Sequence, residues 1–117
     1  MEKLFDGEFR LMEVLWDSEP VNSTKLVHLC EERLGWNKST TYTVLRKLCH
    51  KGAAKNENAT VTTLLTRQQV IRAQGDELAD KVGGITPFLT AFLSGRKLTM
   101  EEAQELKQLI DRSMGED

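Results

Sequence analysis

One segment of the sequence carries helix signals at both of its ends, and it constrains the fold more than any other part of the chain. Asn37 is a good N-cap residue, because its side chain can accept a hydrogen bond from a free N–H of the first helical turn. Gly52 supplies a stop at the other end. The core-type residues that recur between them at helical spacing are Thr41, Val44, Leu45 and Leu48. The sequence therefore predicts a helix from Lys38 to Lys51 with one buried face.

Two amphipathic segments precede this helix. The first spans Glu8 to Trp16 and stops at Ser18-Glu19-Pro20. A short extended piece at Val21-Asn22 leads into the second segment, which has Ser23 as its expected N-cap and ends near Leu34-Gly35. We therefore predict three consecutive helices in this half of the chain.

A hairpin is predicted directly after the third helix. Ala53 to Lys55 and the Thr-rich run from Thr60 to Thr66 flank the polar Asn56-Glu57-Asn58. Three helices followed by a two-stranded hairpin form the winged variant of the helix-turn-helix, in which the third helix enters the DNA major groove. The sequence thus predicts a mainly α fold with a small β-hairpin, and a winged helix-turn-helix DNA-binding domain over residues 1–66.

Three further helices are predicted in residues 67–117, which we interpret as a helical dimerisation domain. The first ends at Gly83-Gly84, the second runs from Thr86 to Leu93, and the third follows a capping box of Thr99 and Glu102. The last two helices carry an apolar stripe that is too large to be buried between them. We therefore predict that a second copy of the chain buries this stripe in a homodimer. The stripe consists of Phe88, Leu89, Phe92, Leu93, Leu106, Leu109 and Ile110.

Charge is distributed unevenly along the chain. The whole sequence has 16 Lys and Arg against 18 Asp and Glu, a net charge of -2. The stretch from Trp36 to Lys55 contains five basic residues and no acidic residue, which favours binding to DNA phosphates. Hydrogen-bonding and cationic side chains also occupy the helix face opposite the predicted core. The candidate DNA contacts are Lys38, Ser39, Thr40, Tyr42, Thr43, Arg46, Lys47, Lys51 and Lys55.

These residue types suit two kinds of DNA contact. Arg46 has a forked guanidinium that can bind guanine O6 and N7 through two hydrogen bonds. Lys38 lies at the start of the third helix, and Lys51 and Lys55 flank the hairpin, so phosphate contacts are predicted for these three.

Several other function classes are not predicted. No apolar run approaches the ~20 residues that span a bilayer, and the first residues lack a secretory signal, so we expect a cytoplasmic protein with no direct membrane binding. No catalytic set or phosphate loop is recognisable, so neither an enzyme nor a cofactor is expected. Cys30 and Cys49, with His28 and His50, match no familiar metal-ligand spacing, so no metal is expected and the thiols are interpreted as buried.

Several short motifs occur in a fixed order along the chain. They are Glu8-Phe9-x-Leu-Met-Glu-Val-Leu-Trp16, Thr24-Lys25-Leu26, Trp36-Asn37-x-x-Thr40-x-x-Thr43-x-Leu45, Leu48-x-x-Lys51-Gly52, Phe92-Leu93 and Leu98-Thr99-x-Glu101-Glu102-x-x-Glu105-Leu106. Together they resemble the penicillinase-repressor family, BlaI/MecI, with its related copper-responsive repressors, over nearly the whole chain. Two Trp residues with Lys-Gly at the end of the third helix are the more specific part of the resemblance.

The resemblance implies a homodimeric repressor on a palindromic operator, with three C-terminal helices that interlock with those of the partner chain. In the β-lactam branch of the family, a membrane-bound sensor with a protease domain triggers cleavage in the penultimate helix, ahead of a Phe. The corresponding bond here is Ala91-Phe92, with Ala91 where the family has Asn. A repressor of a β-lactam-resistance operon or a related stress operon, relieved by proteolysis in its C-terminal domain, is therefore implied.

Two departures from the family pattern concern DNA and metal binding. The family's wing carries a Gly-Arg pair, whereas the matching stretch here reads Ala59-Thr60-Val61, so we expect a smaller contribution of the wing to DNA binding. The copper branch holds metal with Cys-x-Cys pairs near the C-terminus, and no Cys follows Cys49. Copper sensing of that kind is not expected.

Two alternative functions use the same predicted elements. One is a winged-helix module that binds proteins rather than DNA, which the acid-free basic stretch argues against. The other is a DNA-binding regulator that responds directly to a small ligand or to thiol oxidation. Burial of Cys30 and Cys49 would count against oxidation, and a large apolar pocket would favour a ligand.

Overall fold

The computed structural model describes residues 1–115. Within them the chain forms six helices and three strands: α1 (Asp6–Ser18), β1 (Val21–Asn22), α2 (Ser23–Leu34), α3 (Lys38–His50), β2 (Ala54–Glu57), β3 (Thr60–Thr63), α4 (Arg67–Lys81), α5 (Ile85–Leu93) and α6 (Met100–Met114). The predicted fold class, a mainly α protein with a winged helix-turn-helix and three C-terminal helices, is confirmed. The chain divides into two compact units, Met1–Glu77 and the part from Leu78 onward.

Side-chain caps fix where the second and third helices begin. The Asn37 side chain accepts a hydrogen bond from the Thr40 N–H at 2.8 Å, as predicted. At the start of α2 the cap is Asn22, whose side chain accepts from the Thr24 N–H at 2.8 Å, so the prediction of Ser23 was wrong by one residue. Asn caps a helix as well as Ser does, and Ser23 is instead buried as the first residue of the helix.

The three strands form one antiparallel sheet in the order β1-β3-β2. β2 and β3 are joined by a tight turn whose two residues, Asn58 and Ala59, have positive φ values of 51° and 64°. This is the conformation that a two-residue hairpin turn requires. Glu57 pairs with Thr60 in the sheet, so the predicted loop Asn56-Glu57-Asn58 is wrong and both of its first residues belong to β2.

The core of the first unit lies between its helices and the sheet. Its fully buried side chains include Leu11, Met12, Leu15, Leu26, Leu45, Leu48, Val61 and Val70. Trp16 and Trp36 pack against this core, and the Trp16 indole N–H donates to the Leu65 carbonyl at 2.9 Å. Both tryptophans are thus partly buried aromatics that pack against the core.

The first half of α4 packs within the first unit. Val70 is buried, the Arg67 guanidinium lies 3.2 Å from the Glu13 carboxylate, and the Gln74 amide donates to the Leu4 carbonyl at 2.9 Å. The helix continues through Gly75 without a break. The two compact units divide after residue 77, inside α4, whereas the division predicted from the sequence lies at the start of the same helix.

The second unit contains two helices that bury none of their residues. α6 begins with the predicted capping box, because the Thr99 hydroxyl accepts from the Glu102 N–H and the Glu102 carboxylate accepts from the Thr99 N–H, each at 3.0 Å. Within residues 1–115, no helix combines the length and the apolar character that crossing a bilayer would take.

Candidate nucleic-acid interface

The third helix presents most of its predicted DNA contacts on one exposed face. Thr41, Leu45 and Leu48 are buried on the opposite side, so the orientation of α3 about its own axis is fixed by the core. The exposed side chains of α3 are Lys38, Ser39, Thr40, Thr43, Arg46, Lys47 and His50. The structure therefore brings together on this face all the predicted contacts of α3 except Tyr42.

Three cations on this face are available for an anionic ligand. Within residues 1–115, Lys38, Arg46 and Lys47 form no ion pair, and all three are exposed. The Arg46 guanidinium lies 3.5 Å from the Thr43 hydroxyl, a contact too long to hold it against another partner. Arg46 therefore keeps its forked donors free, which is the arrangement that reading a guanine edge requires.

Tyr42 and Lys55 lie at a cleft between α3 and β2. The cleft has a volume of about 500 Å³, and its lining also includes Arg46, Cys49 and Asn56. Tyr42 is half-buried, so it takes part in the wall of the cleft as well as in the exposed surface. The Lys55 ammonium is exposed, and its 3.4 Å contact with the Glu57 carboxylate is an exposed pair that contributes little to stability.

Lys51, which the sequence predicts as a phosphate contact, has its ammonium engaged within the protein. Its ammonium lies 2.7 Å from the Glu8 carboxylate and donates to the Lys3 carbonyl, also at 2.7 Å. Only 13% of the Lys51 side chain and 5% of the Glu8 side chain are exposed. The Lys51 charge is compensated inside the protein, so a phosphate contact by Lys51 would require this ion pair to break.

The two thiols lie where oxidation is disfavoured. Cys30 is buried and Cys49 is half-buried. Burial raises the pKa of both thiols above the ordinary value of a cysteine, which disfavours the reactive thiolate. No group of His, Cys, Asp and Glu that could hold a metal ion occurs in the described part of the chain.

The predicted dimerisation stripe is largely uncovered. Phe88 and Leu93 are half-buried, and the remaining members of the stripe are exposed, namely Leu89, Phe92, Leu106, Leu109 and Ile110. The Phe88 and Phe92 rings lie 6.1 Å apart, and the Arg96 guanidinium lies 4.3 Å from the Phe92 ring centre. The Ala91-Phe92 bond falls inside α5 with both residues exposed, so it is accessible but held in a helical conformation.

Comparison with known proteins identifies the family. A sequence model of the family described as penicillinase repressor matches residues 5–112. The chain belongs to the penicillinase repressor family. It is similar to a penicillinase repressor of Bacillus licheniformis, with 22% identity over 93% of this chain and 90% of the relative. It is also similar to a 16.5 kDa protein of Latilactobacillus sakei, named for the region 3′ of ptsI, with 26% identity over 89% of this chain and 75% of the relative.

One solved structure is similar to part of this member of the penicillinase repressor family. The solution structure of the DNA binding domain of the repressor BlaI has 24% sequence identity and a TM-score of 0.49, and the match covers 59% of this chain and 93% of that one.

One interaction near the candidate DNA-binding face of this family member was not predicted from the sequence. Glu8 lies on the same helix face as Leu11, Met12 and Leu15, all of which are buried. An acid at a core position needs a cationic partner, because a buried unpaired carboxylate is costly. That signal was present in the sequence, but it does not identify Lys51, which lies 43 residues further along the chain.

Proposed function

We propose that this protein is a homodimeric transcriptional repressor that binds a palindromic operator through α3, in the cytoplasm. The single observation that carries the proposal is the exposed face of α3, where Lys38, Arg46 and Lys47 form no ion pair among the described residues. In the winged helix-turn-helix this helix enters the major groove. Residues 1–66 then form the DNA-binding domain and residues 67–117 the helical dimerisation domain.

The test uses DNA selected from a random duplex library by the full chain. Arg46→Ala should weaken binding to the selected duplex by ~1 to 3 kcal/mol, because a bidentate contact to a base is lost. Arg72→Ala is the matched control, since Arg72 is exposed on α4 and its replacement removes the same charge. Equal affinity of the wild type and the Arg46 variant, or failure of the wild type to enrich any sequence, would contradict the proposal.

The homodimer is supported by the uncovered stripe of α5 and α6. Neither helix buries a residue within the described chain, although the stripe contains two phenylalanines and several leucines. A second copy of the chain would remove this apolar surface from water. Two copies of α3 would then reach successive major grooves ~34 Å apart, which matches a palindromic site.

Relief of repression by proteolysis at Ala91-Phe92 is the more specific part of the proposal. The bond lies in α5, a helix of nine residues, which is shorter than the ~12 to 15 residues that an isolated helix needs for stability in water. Local opening of α5 would expose an extended segment to a sensor-activated protease. Cleavage at Ala91-Phe92 would then break the covalent connection between the final helix and the DNA-binding half. The test is the mass of the protein after cells are exposed to a β-lactam. Derepression with an intact chain would refute cleavage.

A further inference from the structure

The Lys51 ammonium is held by a cluster that we call the Lys51 cluster, formed by Lys51, Glu8, Phe5 and the Lys3 carbonyl. The ammonium bonds the Glu8 carboxylate and the Lys3 carbonyl, each at 2.7 Å, and lies 4.7 Å from the centre of the Phe5 ring. These partners compensate its charge by an ion pair, a carbonyl dipole and an aromatic face. A lysine so engaged cannot reach a DNA phosphate without breaking these interactions.

The cluster joins the end of α3 to the start of α1. Lys51 is the C-cap of α3, and its backbone N–H donates to the Lys47 carbonyl at 3.0 Å. Glu8 is in the first turn of α1, where the same carboxylate oxygen accepts from the Phe5 N–H at 2.8 Å. The ammonium therefore fixes the C-terminal end of α3 against α1, while the Asn37 cap defines its N-terminal end.

The residues proposed to contact DNA lie close to this attachment. Lys47 is one helical turn before Lys51, and Arg46 precedes Lys47. Bidentate base reading requires a side chain to be held within ~0.5 Å of its productive geometry. A small tilt of the end of α3 would displace the Arg46 guanidinium from a base edge. It would change the attraction between the same cations and the phosphates much less, because that attraction depends weakly on geometry.

We propose that Lys51 is a positioning residue for DNA recognition, which orients the end of α3 through Glu8, Phe5 and the Lys3 carbonyl and makes no contact with DNA itself. This inference rests on the proposed function. It differs from the role of phosphate contact in a measurable way, because a phosphate contact contributes to the salt dependence of binding and a positioning residue does not.

The experiment uses the full chain and two duplexes of equal length, one selected from a random library by the wild type and one of random sequence. Lys51→Met removes the ammonium and keeps most of the apolar stem, and Lys47→Met is the matched control on the exposed face. Dissociation constants are measured for both duplexes over a range of salt concentrations, well below the unfolding temperature of each variant. For Lys51→Met we expect the affinity for the selected duplex to fall about tenfold. The affinity for the random duplex and the salt slope of binding should stay unchanged. Lys47→Met should instead lower the salt slope by about one on both duplexes.

A double variant separates positioning from stability. Lys51→Met alone leaves the Glu8 carboxylate without its cation, so a loss of stability is expected. Adding Glu8→Gln removes that charge and keeps an acceptor for the Phe5 N–H, so stability should recover while selectivity for the selected duplex stays low. Full recovery of both, or a salt slope reduced by about one in Lys51→Met, would overturn the positioning role. Absence of wild-type binding to either duplex would instead overturn the proposed function.

Discussion

Replacing Ala59 with glycine should stabilise the winged-helix unit, because the wing turn holds this residue in a left-handed conformation with φ of 64°. That conformation costs a residue other than glycine roughly 1 to 2 kcal/mol. Glycine loses more freedom on folding, which offsets about 0.4 to 1 kcal/mol of the gain. Ala59 is exposed, and its backbone carbonyl, which accepts from the Ser23 N–H at 2.8 Å, is unchanged by the substitution. The net expectation is a stabilisation of about 0.5 to 1 kcal/mol.

Thermal unfolding followed by Trp fluorescence measures this effect, since Trp16 and Trp36 both pack against the core of the same unit. For a unit of this size, the midpoint should rise by about 2 to 8 °C. The matched control is Ala73→Gly, which lies inside α4 in the same unit and should destabilise it by roughly 0.5 to 1 kcal/mol. The same substitution is thus expected to act with opposite sign at the two positions. A lower midpoint for Ala59→Gly would show that the left-handed conformation at residue 59 costs alanine less than glycine loses in conformational freedom on folding.

Three further predictions concern the second unit and the thiols. Truncation before Ile85 removes α5 and α6 and should leave a winged helix that folds but remains monomeric and binds the operator weakly; a stable dimer in light scattering would contradict this. The Thr99 N–H lowers the pKa of the Glu102 carboxyl below its ordinary value, so the capping box stabilises α6 while Glu102 is ionised, and this contribution is lost as the pH falls through the lowered pKa. Circular dichroism should show an acid-induced loss of helix that is smaller in Glu102→Gln. Cys30 should react with a thiol reagent only on unfolding, because it is fully buried; rapid labelling of the native protein would disprove its burial.

Local signals in the sequence predicted most elements of the fold. The cap at Asn37, the stop at Gly52 and the capping box of Thr99 and Glu102 each depend on residues within a few positions of one another, and the structure confirms all three helix boundaries to within two residues. The start of α2 was predicted one residue too late, because Asn22 and Ser23 are both good caps and the choice between them depends on which one the core buries.

Interactions between distant segments limited the prediction of the candidate site. The basic stretch correctly indicated an exposed cationic face on α3, because helical spacing separates Leu45 and Leu48 from Arg46 and Lys47. It also counted Lys51 among the free cations, since nothing near Lys51 in the sequence shows that its partner is Glu8. The pair forms only when α1 and α3 pack together. Counting basic residues in the sequence therefore overstated the number of cations available to DNA.

The most direct test of DNA binding through α3 is a map of the surface that a duplex covers. Isotope-labelled full chain is titrated with the selected duplex, and the shifts of backbone amide signals are followed by NMR. We expect the largest changes at residues 38–47, smaller changes at the wing, and changes at Lys51 that are minor beside those at Lys47. Changes confined to α1 or α4, with the signals of α3 unmoved, would contradict DNA binding through α3.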